Sequence, residues 1–155
     1  MENTSEIDIS SLNVAQLGYV YKDVAKQSLI MEKMLGVPMF AVMVGTNPII
    51  YRGREVEYTA KIAISRWLNT QIELIQPIKG QSLHTEFLQK GREGLHHISV
   101  FVDELEPYLE YFKKMGFDIA QSGQLGKQKF AYLDTEEAFG LILEIQMTVK
   151  RRRNK

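Results

Sequence analysis

The chain has 155 residues, of which 45% are hydrophobic and 25% are charged, a balance typical of one globular domain. It contains no cysteine, which excludes disulfides and thiolate metal sites, so any metal must be held by oxygen and imidazole nitrogen. Lys plus Arg and Asp plus Glu both number 19, and this zero formal net charge lacks the basic surplus expected of a nucleic-acid-binding protein.

Both ends of the chain are predicted to lie outside the folded domain. Residues 1–13 are polar and acidic, unlike a signal or transit peptide, and are expected to form a flexible leader. Residues 149–155 contain the basic cluster Arg151–Arg153 and are expected to form a solvated tail. No apolar run approaches the roughly 20 residues that a membrane helix needs. We therefore expect a cytoplasmic protein without membrane or nucleic-acid partners.

The first half of the chain predicts one helix and four strands. Apolar residues recur at helical spacing over residues 24–35, and Gly36 and Pro38 end that helix. Residues 46–55 are predicted to form a loop, because Pro48 and Gly53 lie within them. The predicted strands cover residues 15–21, 38–44, 56–67 and 71–77.

The second half repeats this order after a polar connector over residues 79–93, in which His84 is expected at the surface. A helix is predicted over residues 104–115, with Pro107 in its first turn, where proline is tolerated, and Gly116 at its end. The predicted strands of this half cover residues 95–103, 117–121, 128–133 and 140–147.

The chain therefore predicts an α+β fold in which a βαβββ module occurs twice. Gln16 precedes the helix-ending Gly36 by 20 residues, and His97 precedes the corresponding Gly116 by 19. The two modules, residues 14–78 and 94–148, are expected to pack as one domain over residues 14–148.

Glu73 and Glu144 occupy matching apolar strands, one closing each half. Burying an unpaired carboxylate costs several kcal/mol. If a pseudo-two-fold axis relates the halves, both glutamates meet Gln16 and His97 in one cavity, where a cation would relieve the repulsion between the carboxylates. The alternative is that both glutamates face solvent, and strand parity alone does not decide between these possibilities.

Histidine and aromatic residues leave further alternatives open. His96 and His97 are adjacent on a predicted strand, so they are expected on opposite faces, and at most one of them enters the cavity. Tyr51, Tyr58 and Trp67 either line a pocket or belong to the core.

Three segments carry a resemblance to a known superfamily. GLHHISVFVDELEPYLEYFKKMGF (94–117) is similar to the second-module opening of methylmalonyl-CoA epimerases, QLGYVYKDVAKQSLIMEKMLGV (16–37) to their first-module opening, and IELIQP (72–77) to the strand that closes their first module. From about Ala15 to Gln146, the chain resembles the vicinal oxygen chelate superfamily, in its epimerase and glyoxalase I branch. The resemblance implies a glyoxalase-like curved sheet around a central cavity, a small-molecule substrate and a homodimer.

The resemblance also implies a metal site. Its ligands would be Gln16, Glu73, His97 rather than His96, and Glu144, around one divalent ion that is Zn, Co, Ni, Mn or Mg. The epimerases more often have His where this chain has Gln16, and often Gln where it has Glu73. A Gln, Glu, His, Glu set instead resembles that of some glyoxalase I enzymes.

The function implied is that of a metal-dependent epimerase or isomerase, which removes a proton next to a chelated carbonyl on a substrate such as methylmalonyl-CoA. Glu144 or Glu73 would serve as the base, and Glu57 is a further candidate because it matches the position of the epimerases' catalytic glutamate. Two alternatives stay open: a glyoxalase I-like lyase, and a metal-free protein of the same fold that sequesters a small molecule.

Overall fold

The structure, a computed structural model, describes residues 7–150, which form eight strands and four helices after a short 3₁₀ turn at Ile9–Ser11. The strands are β1 (Val14–Val20), β2 (Ala41–Tyr51), β3 (Arg54–Trp67), β4 (Thr70–Lys79), β5 (Gly94–Phe101), β6 (Ile119–Leu125), β7 (Gln128–Leu133) and β8 (Ile142–Thr148). The helices are α1 (Val24–Leu35), α2 (Leu83–Gln89), α3 (Leu105–Lys114) and α4 (Glu136–Phe139).

The strands close into one barrel in the order β1-β4-β3-β2-β6-β7-β8-β5. Strand β1 pairs in parallel with β4, β5 pairs in parallel with β8, and the antiparallel pair β1–β5 joins the two halves. A short pairing of Ile49–Tyr51 in β2 with 121–123 in β6 closes the barrel on the other side. The predicted α+β fold, with a βαβββ module in each half of the chain, is confirmed.

Three apolar clusters hold this barrel together. Helix α1 covers the first half-sheet through Val24 and Met31, and α3 covers the second through Leu105 and Phe112. Helix α2 packs Leu83 and Phe87 into the cluster inside the barrel. Helix α2 therefore fills part of the barrel interior.

The predicted loop over residues 46–55 is wrong, because most of this segment belongs to a hairpin of β2 and β3. Pro48 lies within β2 opposite Glu57, beyond the short stretch that pairs with β6, so its missing N–H interrupts no ladder on that edge. Gly53 has a φ of 79° and forms the tight turn with Arg52.

The connector carries helix α2, and the prediction that His84 lies at the surface is wrong. Ser82 and Thr85 form a capping box that starts the helix, so a segment of polar appearance folds locally. His84 is only 3% exposed, because α2 turns it inward together with Leu83 and Phe87.

The ends of the chain are described in part. Ile9 packs against the cluster beneath α3, together with Leu12. The rest of the predicted leader, residues 1–6, and residues 151–155 of the predicted basic tail lie outside the described residues. Within residues 7–150, every helix is too short or too polar to cross a membrane.

Candidate metal-binding and proton-transfer site

A cavity of about 310 Å³ occupies the open part of the barrel. Its deep wall is polar and buried, and includes Gln16, Glu144 and Gln146. Its mouth lies beside exposed apolar side chains of β2 and β5, among them Val44 and Phe101. The volume falls in the range of small-molecule sites in proteins.

Strand alternation brings Glu73 and Glu144 into this cavity. In β4, Ile72 and Leu74 pack outward in the cluster of α1, so Glu73 faces inward. In β8, Ile145 packs outward in the cluster of α3, so Glu144 faces inward. The sequence left open which face of each strand carries its glutamate. In the structure both carboxylates line the same cavity.

The strand register also aligns the predicted ligands. Gln16 in β1 lies opposite Gln71 in β4 and Ser99 in β5, and Ser99 lies opposite Glu144 in β8. The Oγ of Ser99 donates its one hydrogen to Glu144 Oε1 at 2.6 Å and lies 3.1 Å from Gln16 Oε1. One row of hydrogen-bonded side chains thus connects the two halves of the barrel.

The two carboxylates have different surroundings. Hydrogen bonds from Ser99, Tyr132 and Gln146 lower the pKa of Glu144, but burial outweighs them and raises it overall. Burial and the charge of Glu144 raise the pKa of Glu73, against which only a hydrogen bond with Gln16 acts. Glu73 is therefore the less restrained carboxylate, and it is also only half-buried.

His97 presents an unpartnered nitrogen beside these carboxylates. Its ring is fully buried, its Nε2 has no hydrogen-bond partner among residues 7–150, and this atom lies 3.9 Å from Glu144 Oε2. Burial and the neighbouring His96 lower the pKa of His97 well below its usual value, so the ring is neutral. A neutral imidazole nitrogen in this position is suited to bind a metal ion.

His96 and His97 both enter the interior, so the expectation that they lie on opposite faces is wrong. The pairing of β1 with β5 shifts register at this point, from Gly18 opposite His97 to Tyr19 opposite Leu95. This bulge places His96 Nδ1 and His97 Nδ1 in a hydrogen bond at 3.0 Å, and both rings contact Tyr132.

His84 is a site residue that the sequence analysis missed. It lines the cavity, shares a hydrogen bond of 2.8 Å between its Nδ1 and the Tyr58 hydroxyl, and has no partner for Nε2. One nitrogen each of His84, His96 and His97 lies within 4.8 Å of the other two. The Ser82–Thr85 capping box was the signal in the sequence that places His84 on a helix.

The structure does not bring Glu57 to the cavity. Its neighbour Tyr58 lines the cavity, so alternation turns Glu57 to the exposed side of β3. Of the three predicted aromatic candidates, only Tyr58 lines the cavity. Tyr51 belongs to the core inside the barrel, and Trp67 packs with the cluster under α1.

The residue types of this site are ones that bind divalent cations, although within residues 7–150 it is His84, His96 and His97 whose ligand atoms lie within 4.8 Å of one another. Two inward carboxylates raise each other's energy, and a cation between them would relieve that repulsion. The unpartnered Nε2 of His97 and the amide oxygen of Gln16 add neutral donors. Three oxygen donors and one nitrogen suit a hard or borderline metal ion.

Comparisons with known proteins agree with this architecture. A family model described as the glyoxalase/bleomycin resistance protein/dioxygenase superfamily matches residues 15–132. No curated protein sequence matches the chain.

Solved structures with the same fold include two methylmalonyl-CoA epimerases. The enzyme from Mycobacterium tuberculosis is 15% identical, with a TM-score of 0.69 over 95% of each chain. The Streptomyces coelicolor enzyme in complex with 2-nitronate-propionyl-CoA is 16% identical, with a TM-score of 0.60 over 89% of this chain and 96% of that one. A hypothetical protein from Bacillus halodurans is 21% identical, with a TM-score of 0.66 over 93% and 99%.

Proposed function

The chain belongs to the glyoxalase/bleomycin resistance protein/dioxygenase superfamily, and we propose that it is a metal-dependent isomerase or epimerase that moves a proton next to a carbonyl. One observation carries this proposal: Glu73 and Glu144 face one cavity, beside the unpartnered Nε2 of His97. Gln16, Glu73, His97 and Glu144 are the proposed ligands of one divalent ion. Such an ion would polarise a carbonyl oxygen and so acidify the adjacent C–H group.

Glu73 is the proposed base. Glu144 is held by Ser99, Tyr132 and Gln146, whereas Glu73 is restrained only by Gln16 and is partly accessible from the cavity. A less restrained carboxylate is freer to approach the substrate and remove the proton. Glu57 lies on the exposed side of β3 and is not needed for this step.

A glyoxalase I-like lyase is the second candidate. It is favoured by the ligand set, because Gln16 and Glu73 stand where the epimerases more often have His and Gln. Both reactions begin with the same proton removal, so the same cavity residues serve either. The homodimer implied by the resemblance stays a prediction.

Solvent-deuterium exchange, followed by proton NMR, tests the proposal directly. The substrates are methylmalonyl-CoA, the methylglyoxal–glutathione adduct and the uncharged 2-hydroxyacetophenone, each with the metal-loaded protein. We expect exchange at the C–H group next to the carbonyl in at least one of them. Absence of exchange in all three, with one metal ion bound per chain, would contradict the proposal.

A pair of variants separates the proposed base from its alternative. Glu73→Gln should lower exchange by about 10²–10⁴-fold, the usual contribution of a general base. Loss of a charged ligand should also weaken metal binding in this variant, so exchange is measured at a metal concentration that saturates the variant. Glu57→Gln is the matched control and should leave exchange unchanged. The opposite pattern would assign the base to Glu57.

A further inference from the structure

We propose that the part of the substrate that enters the cavity is uncharged and mainly apolar, with two neighbouring oxygens directed at the polar deep wall. This inference rests on the proposed function, since it names the class of molecule on which that site acts. It differs from what the related epimerases' names suggest, because the methylmalonyl group carries a carboxylate.

The charged side chains that line the cavity are the first observation behind this proposal. Over residues 7–150, the lining contains neither Lys nor Arg, and its only carboxylates are Glu73 and Glu144. The cavity therefore offers an anion no side chain of opposite charge.

A bound divalent ion would not give the cavity a net positive charge. Its two positive charges would be matched by the carboxylates of Glu73 and Glu144, so the site would be close to neutral before the substrate enters. A carboxylate placed among apolar walls without a cationic partner loses several kcal/mol of hydration. The same oxygens in an uncharged ester or hydroxyketone are desolvated at a much smaller cost.

The apolar side chains that line the cavity are the second observation. Four isoleucines from strands β2, β3 and β4 line the cavity together with Phe130. The isoleucines are Ile49, Ile62, Ile64 and Ile75. Apolar surface of this kind favours an apolar body by roughly 25 cal/mol per Å² of ligand surface removed from water.

The polar groups of the cavity are mostly amides. Gln71 accepts a hydrogen bond from Gln16 at 2.6 Å through its Oε1, so its own amide N–H groups are available to a ligand. Gln124 and Gln128 add further amides toward the mouth. Amides bind carbonyl and hydroxyl oxygens without contributing charge, and therefore match an uncharged oxygenated molecule.

A pair of probes that differ by one negative charge and one methyl group tests the inference. Methyl benzoylformate and benzoylformate share the phenyl ring and two neighbouring oxygens, and neither has a C–H group next to its ketone that the site could act on. Isothermal titration calorimetry on the metal-loaded protein should show at least about tenfold tighter binding of the ester, given the cost of desolvating the acid. Equal or tighter binding of the acid, or binding of neither, would overturn the inference.

A charge introduced at the mouth gives a matched control. Gln124→Lys places a cation at an exposed lining position and should reduce the preference for the ester, by about threefold for a screened surface charge. Gln89→Lys adds the same charge at the exposed end of α2, away from the lining, and should leave the preference unchanged. Equal effects of both variants would contradict the argument from the cavity's own charges.

Binding and proton exchange can fail separately. If the ester binds tightly but no substrate exchanges its proton, the ligand class stands and the proposed reaction fails. If methylmalonyl-CoA exchanges and the acid probe binds as well as the ester, the reaction stands and the ligand class fails.

Discussion

Glu73 and Glu144 are the side chains whose charges define the cavity. Both lie inside the barrel in a cavity whose other polar groups are mostly amides, and Glu144 lies beside the fully buried imidazole of His97. The sequence predicted these residues from their matching positions in the two halves. It missed the inward turn of His84 and the bulge at His96, because both depend on contacts distant in sequence: α2 with the barrel, and β1 with β5.

Replacing Glu144 by Gln should remove metal without unfolding the protein. The change is nearly isosteric and relieves the repulsion with Glu73, so we expect a melting temperature at or above that of the metal-free wild type. Loss of a charged ligand should weaken metal binding by at least about 100-fold, more than the usual effect of a residue behind the ligands. Glu137→Gln, at an exposed position in α4, is the control. Unchanged affinity in Glu144→Gln would remove it from the ligand set.

His96 is expected to fix the ring of His97. Burial lowers the pKa of His96, so its ring is neutral and carries one proton; with that proton on Nε2, directed at the backbone of Leu83, His96 Nδ1 accepts from His97 Nδ1–H. His97 Nε2 is then free of a proton. His96→Leu should weaken metal binding by about 10–100-fold, whereas His96→Asn, which keeps an acceptor near Nδ1, should restore most of it. ¹⁵N NMR of the three histidines reads the tautomers directly, and a proton on His97 Nε2 in the metal-free wild type would contradict this assignment.

At the scale of the elements, the register across β4, β1 and β5 positions the site. Glu73, Gly18 and His97 lie side by side in that register. The His97 ring lies over Gly18, where a Cβ would overlap it. Periodicity predicted these strands well. It did not predict the β2–β3 hairpin, because Pro48 and Gly53 usually indicate a loop. Pro48 is tolerated in β2 because it lies beyond the residues that pair with β6.

Gly18→Ala should therefore displace the His97 ring. We expect metal binding to be lost and the free energy of unfolding to fall by about 1–3 kcal/mol, the usual cost of overpacking a core. Gly45→Ala is the control, since a Cβ there meets only Asn47 Nδ2 at 3.6 Å, an ordinary contact. Urea unfolding and metal titration measure both effects. Equal stability of the two variants would show that the ring does not depend on this glycine.

At the scale of the whole molecule, barrel closure creates the enclosed cavity. The repeat of two βαβββ modules was visible in the sequence as two matched sets of glycines and polar residues. The pairing of Ile49–Tyr51 with β6 involves only three residues and has no local signal. The enclosure of the cavity therefore could not be predicted from the sequence.

Stability of the metal-free protein should depend on pH in two opposite ways. Burial lowers the pKa of all three histidines below 6.5, so the unfolded chain takes up protons first and stability falls as pH drops below that value. Burial raises the pKa of Glu73 and Glu144 above 4.5, so their favourable contribution is lost as pH rises through the native pKa values.

Glu73→Gln isolates the second effect, because the three histidines are common to both proteins. Its stability relative to the metal-free wild type should increase from pH 5 to pH 8, by about 1.4 kcal/mol for each unit by which the pKa of Glu73 is raised. Thermal unfolding across that range, in the presence of a chelator, measures the difference. A difference that is constant with pH would mean that the Glu73 carboxyl titrates normally.

The central claim is that the carboxylates of Glu73 and Glu144 share one cation. Anomalous diffraction from crystals grown with Co²⁺, recorded at the cobalt edge, tests it most directly. We expect one strong peak per chain, in contact with both carboxylates and with His97 Nε2. A peak confined to the cluster of His84, His96 and His97, or no peak within the barrel at saturating Co²⁺, would contradict it.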